Sequence, residues 1–279
     1  MLHSMKKKPF SALLLAWLAC MLVLPSAATA SSVKLTESAQ SKLSKQIAAS
    51  SSSMKEKLTT QKQYLTALQQ KEDSLDTSIA SLHYNNGKTL ADVKTRIAQV
   101  DAARIAKLTQ AVNETKARYQ PLFALYTTLN TQIKDAKFLK LKLLAATLQA
   151  QADNLKPATQ LARLDIRLKE EALKAAKAIT AAKIKHLRAK LAETDPLRSQ
   201  ITSVQAVVSG TKKNISPVVK TLNEAIKAGS GEGSLQSLTT LVAISRSIVE
   251  QKQRVLSFET RIAGVIRDTK AELLAASGS

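Results

Sequence analysis

The sequence predicts an all-α fold, an elongated antiparallel helical bundle or coiled coil of long helices. Three observations carry that expectation. Aromatic residues make up 3% of the chain and glycine 7 of its 279 positions, so strand and turn formers are scarce. Apolar residues recur at three- and four-residue steps, the spacing that gathers them on one face of a helix. Punctuation at Gly87, Pro121, Pro157, Pro196 and Gly231 is 34, 36, 39 and 35 residues apart. That spacing predicts helices of matched length, about 50 Å at 1.5 Å per residue.

The first element is a leader. Lys6, Lys7 and Lys8 precede an apolar run from Phe10 to Leu24, then Pro25 and Ala28-Thr29-Ala30. This is the pattern of a secretory signal peptide over residues 1–30, cleaved after Ala30. The run is shorter than the ~20 residues a spanning helix needs. Around Cys20, Trp17 replaces the aliphatic residue of a lipoprotein box and apolar residues continue past the cysteine. Cleavage removes the only cysteine, the only tryptophan and three lysines, lowering the net charge by three, from +21 to +18. The mature chain then forms no disulfide, and its stability comes from packing.

A serine-rich, partly helical segment occupies residues 31–52, and the antiparallel bundle is expected over 53–228. Ser53 and Glu56 resemble a capping box that opens the first long helix. Its seam is Met54, Leu58, Leu65, Leu68, Leu75, Ile79 and Leu82, interrupted by Gln61 and Glu72. Asn85-Asn86-Gly87 reads as a turn, with Thr89 and Asp92 starting the returning helix. The return carries Leu90, Val93, Ile97 and Val100, slips by one position, and resumes at Ile105, Leu108 and Val112. It then continues through Tyr119, Leu122, Tyr126, Leu129 and Ile133, in a phase that crosses Pro121 unbroken, as a kinked helix would. Tyr119, Phe123 and Tyr126 share one face beside the proline and read as core.

Asp153-Asn154 before Pro157 reads as a helix end, and Thr194-Asp195-Pro196 as a cap before a first-turn proline. Gly210 and Ser216-Pro217 divide the next interval. A glycine-rich linker is expected at 229–233, followed by one long C-terminal helix over 234–279 that packs on the bundle. That helix carries Leu235, Leu238, Leu241, Val242, Ile248, Val255, Ile262, Val265 and Ile266.

Chemistry is sparse. The mature chain keeps two histidines, His83 and His186, and no cysteine. No metal site of thiolate and imidazole ligands is expected. Each histidine reads as solvated, His83 at a hairpin tip. No glycine-rich phosphate loop is present, and the expectation is a protein that is not an enzyme and holds no cofactor.

The excess of cations is the informative feature. Residues 174–191, KAAKAITAAKIKHLRAKL, contain no acid. At about 100° per residue, Arg163, Arg167, Lys174, Lys177, Lys185 and Arg188 share an arc of about 80°, opposed only by Glu170. Two apolar seams flank this stripe, which predicts a helix lodged between two neighbours. One holds Leu161, Leu164, Leu168, Ala175, Ile179 and Ala182, the other Ile166, Leu173, Ile184 and Leu191.

The expected function is an exported, non-enzymatic helical protein. It binds an anionic cell-wall polymer or an acidic membrane surface of a bacterial envelope through the stripe. The alternative is a holdase-type chaperone for unfolded clients, and a membrane-active helical toxin is the third class. Small, basic, cysteine-free periplasmic chaperones built of helical hairpins are similar in composition, but they are shorter and depend on a strand-built core. Few aromatics and an export signal argue against a physiological nucleic-acid partner. The sequence leaves the oligomeric state open.

Overall fold

A computed structural model of the protein describes residues 35–277. The leader expected over 1–30, with Cys20, lies outside the described residues, as does the start of the serine-rich segment. The described chain is 94% helix without strands, an all-α, bundle-like arrangement. Its elements are α1 (Glu37–Ala49), α2 (Ser52–Ala98), α3 (Ala102–Phe138), α4 (Lys142–Ala192), α5 (Thr194–Lys213), α6 (Ile215–Lys227) and α7 (Gly231–Ser277).

The chain divides into two compact units, residues 35–80 with Ile201–Ser257, and Ser81–Gln200 with residues 258–277. In the first unit, Leu43, Leu58, Leu222, Leu238 and Leu241 are fully buried in one core. Thr36 caps α1 by accepting a hydrogen bond from the Ala39 N–H at 3.2 Å. In this unit α2 and α7 run in the same direction: Met54 lies beside Gly231, and Glu72 beside Lys252.

In the second unit α3 and α4 form an antiparallel hairpin. Leu129, Ile133 and Ala152 make its core, flanked by Tyr126, Leu148 and Leu155. Tyr119 donates its hydroxyl hydrogen to Asp165 at 3.1 Å, and Lys116 pairs with Glu170 at 2.5 Å. Partner numbers fall along α4 as they rise along α3. The buried side of α4 is built largely from Ala145, Ala152, Thr159, Ala162 and Ala176, small residues that let helices approach closely.

Several turns differ from those expected. Asn85-Asn86-Gly87 is not a turn, because α2 runs through it. The apolar spacing carries on from Leu82 to Leu90 with Asn86, 5% exposed, occupying the core position between them. The actual break follows at Asp101, φ 55°, where the apolar phase slips. Thr89 and Asp92 therefore start no helix, and Asp92 instead accepts from Arg96 one turn on. Likewise Asp153-Asn154 and Pro157 lie inside α4, since the rhythm of Leu148, Ala152, Leu155 and Thr159 passes through them. That chain turns earlier, at Lys140, φ 59°.

Pro121 lies inside α3, as its unbroken phase predicts. Pro121 and Pro157 are both exposed, so the carbonyls they leave without an N–H partner face water. Gly210 lies within α5; the division comes at Asn214, ahead of Ser216-Pro217. A helix break does fall beside Thr194, but the Thr194 hydroxyl donates back to Leu191 O at 2.8 Å and does not cap α5. Gly231 and Gly233 open α7, with Ser230 Oγ accepting from the Gly233 N–H at 3.1 Å.

Candidate functional site

All six stripe residues, Arg163, Arg167, Lys174, Lys177, Lys185 and Arg188, are exposed on the single helix α4. A continuous helix sets their spacing at 1.5 Å per residue, so Lys174 and Arg188 lie about 21 Å apart along the axis. Arg163 lies over the Phe123 ring, 5.9 Å from its centroid, and Arg167 approaches Glu171 at 3.8 Å. Lys174, Lys177, Lys185 and Arg188 have no acidic group within 4.0 Å among the described residues. Glu170, the one acid on the stripe, is already held by Lys116 from α3. The stripe thus offers fixed cations suited to charge-assisted hydrogen bonds with phosphate or carboxylate oxygens.

The other two lysines of the 174–191 segment, Lys183 and Lys190, turn toward the protein. Lys183 donates to Asp101 and to Ala276 O, each at 3.2 Å, and Lys190 and His186 face Glu272. Partial burial by itself raises the Asp101 carboxyl. Hydrogen bonds from Thr180 and Lys183 and the charges of Lys183 and Arg104 outweigh it and hold the group below its usual range. Glu272 is held low mainly by its hydrogen bond from Lys190.

The two expected seams do not both bury. Ile166, Leu173, Ile184 and Leu191 are half-buried or buried, but Leu161 is 67% exposed, Leu168 54% and Ile179 50%. Leu164, Ala175 and Ala182 are exposed too. Packing occurs on the alanine and threonine side of α4, so this helix is not lodged between two neighbours along its leucine seam. Tyr119, Phe123 and Tyr126 are half-buried against α4. Phe123, Tyr126, Arg163 and Arg167 border a shallow groove of about 230 Å³.

His83 is not at a hairpin tip. Its Nδ1 lies 2.6 Å from Glu259 Oε1, and Asn86 donates to the same carboxylate at 2.7 Å and to Glu259 O at 2.9 Å. In the first unit the buried Lys252 donates to Glu72 at 2.7 Å and Asp76 at 2.6 Å, and Lys212 reaches Glu72 at 3.0 Å. Residue-by-residue inspection of charge misses these groups. The signal that finds them is the seven-residue recurrence Leu238, Ser245, Lys252, Glu259, Ile266, Leu273, every member of which is buried. Among the described residues, no three His, Cys, Asp or Glu side chains gather as a metal site would require.

A scan against protein-family models gives no match, and searches of curated proteins and of solved structures give no significant match.

Proposed function

We propose that this is an exported, non-enzymatic protein that binds anionic cell-envelope polymers or surfaces through the basic face of α4. The observation that carries the reading is the set of four stripe cations without an acidic neighbour, on a chain of net charge +21. A face serving solubility alone commonly mixes signs, because ion pairs one turn apart stabilise a helix. The span of the stripe suits a repeating polyanion, which meets several cations at once.

The test compares two variants of equal charge loss. One converts Lys174, Lys177, Lys185 and Arg188 to glutamine; the other converts the exposed Lys55, Lys57, Lys71 and Lys94. Binding to isolated envelopes and to a soluble polyphosphate should fall much further in the first variant, and its salt dependence should flatten. Equal losses would reduce the site to a diffuse positive field. The exposed Leu161, Leu168 and Ile179 favour one second reading, a holdase that takes apolar segments of unfolded clients. Suppression of client aggregation, abolished by serine at those three positions, would support that reading over the first.

A further inference from the structure

The turn between α3 and α4 carries a surface that the stripe does not explain. Residues 137–144, KFLKLKLL, are all exposed. Phe138 is 86% exposed, Leu143 85%, Leu139 63%, Leu144 49% and Leu141 48%. Five large apolar side chains at one tip form a patch of the kind that marks an interaction site. Lys134, Lys137, Lys140 and Lys142 are interleaved with them against one nearby acid, Asp135, and none has an acidic group within 4.0 Å among the described residues.

The turn itself does not require these residues. It closes by hydrogen bonds from Leu141 N to Ala136 O at 2.9 Å and from Lys140 N to Lys137 O at 3.2 Å, around a residue with φ 59°. The α6–α7 turn closes the same way, from Ser230 N to Ala225 O at 2.9 Å and from Gly229 N to Ile226 O at 3.2 Å, around a residue with φ 69°. There the chain reads Ala228-Gly229-Ser230, with glycine where left-handed backbone favours it. At the α3–α4 tip a lysine occupies that strained position and leucines flank it.

We propose that the α3–α4 tip is a wedge that enters the head-group region of an anionic lipid bilayer. Phe138, Leu139, Leu141 and Leu143 supply the apolar contact, and the four lysines hold lipid phosphates at its rim. A membrane surface fits both halves of this pattern. Apolar side chains reach the acyl boundary while lysine stems run up to the phosphates. A second copy of the tip would set lysines against lysines. The N–H groups of Leu139, Lys140, Leu141 and Lys142 are bonded within the turn, and α4 starts without a side-chain cap, which leaves its first N–H groups to meet head-group oxygens or water. Ala136 and Ala145, 3% and 7% exposed, anchor the turn beneath the patch. No helix among the described residues is long and apolar enough to cross a membrane, which agrees with shallow seating. This inference commits to lipid and to a different place from the α4 stripe, and it stands or falls separately.

The experiment places a reporter at the tip. With Trp17→Phe removing the native tryptophan, Phe138→Trp makes the tip the one fluorescent indole. The probes are phosphatidylglycerol–phosphatidylcholine vesicles, pure phosphatidylcholine vesicles and soluble polyphosphate. The expected result is a blue-shifted emission with the anionic vesicles alone, quenched by lipids brominated near the head of the acyl chain. Adding Leu139→Ser, Leu141→Ser and Leu143→Ser should weaken anionic-vesicle binding by about tenfold or more while leaving polyphosphate binding unchanged. Lys137→Gln with Lys142→Gln should weaken it and flatten its salt dependence. The glutamine variant of the α4 stripe should keep the blue shift while losing polyphosphate. An unshifted emission with anionic vesicles overturns the wedge, as does serine-variant binding equal to that of the parent. A blue shift without vesicles that rises with protein concentration would assign the tip to self-association instead. Circular dichroism matching the parent confirms that each variant is folded, and the exposure of the substituted side chains makes that the expected result.

Discussion

Lys252 in the first unit and Lys174 on α4 are the same residue type in opposite circumstances. Lys252 is 7% exposed and bonded to two carboxylates; Lys174 is exposed and has no acidic neighbour among the described residues. The contrast separates two uses of charge. Around Lys252 the ion pairs fix which layer of α2 faces which layer of α7, since a buried charge in the wrong register would lose its partner. Around Lys174, Lys177, Lys185 and Arg188 no acidic group among the described residues comes within 4.0 Å, so their charge stays at the surface.

Removing Lys252 should have the largest effect. Lys252→Ala takes from Glu72, 1% exposed, its closer lysine and leaves Lys212 at 3.0 Å, and should destabilise the protein by about 3–5 kcal/mol in urea unfolding. Glu72→Leu with Lys252→Leu should recover part of that loss, because the most deeply buried carboxylate is gone with its partner, while Lys212 loses Glu72 and the half-exposed Asp76 turns to water. If the double variant is as unstable as the single, packing and not charge holds Lys252.

Lys140 is a third case, a lysine the backbone opposes. Lys140→Gly should stabilise the turn by about 1 kcal/mol in the same measurement by relieving the left-handed strain. A loss of stability would show that the Lys140 side chain has a structural partner.

The pairs of Asp101 with Lys183 and of Glu272 with Lys190 fall between the two extremes, and pH reads them. Both carboxyls sit below their usual values of 3.8 and 4.5 in the folded chain. Their contribution is therefore complete above those values and fades as pH falls through the folded ones. Stability should be level near neutrality and decline below about pH 4, and Asp101→Asn with Glu272→Gln should flatten that decline.

The smallest effect on stability belongs to the stripe. Glutamine at Lys174, Lys177, Lys185 and Arg188 should change unfolding free energy by no more than about 0.5 kcal/mol, since the side chains are exposed and glutamine keeps helix propensity. A loss of several kcal/mol would make those cations structural and end the comparison.

The turns show why some of the fold was legible and some was not. Asn86 and Gly87 suit a turn by residue type, yet the buried spacing from Leu82 through Asn86 to Leu90 continues the helix, and the break lies where that spacing slips, before Asp101. Periodicity outweighed turn propensity because a long seam sums burial over many layers, while one asparagine and one glycine cost a helix only about 1–2 kcal/mol together. Pro157 follows the same rule. The alignment of the basic stripe along one face of α4 was legible because a continuous helix sets it by spacing alone.

By itself the sequence determined the all-α class, the seam of α2 and the alignment of the α4 stripe, and it favoured the passage of α3 through Pro121 over a helix end there. Each rests on residues within a few turns of one another, whose geometry the helix fixes. Only the tertiary structure decided which apolar side of α4 is covered, because two seams of comparable hydrophobicity compete. The seam of Ile166, Leu173, Ile184 and Leu191 is half-buried or buried, and Leu161 and Leu168 of the other seam remain at the surface. It also decided that Asn86, Glu72, Lys252 and Glu259 belong to the interior. Burying a carboxylate or an amide is costly unless a partner meets it, and the partners of Glu72 and Asn86 lie 180 and 173 residues away in the chain.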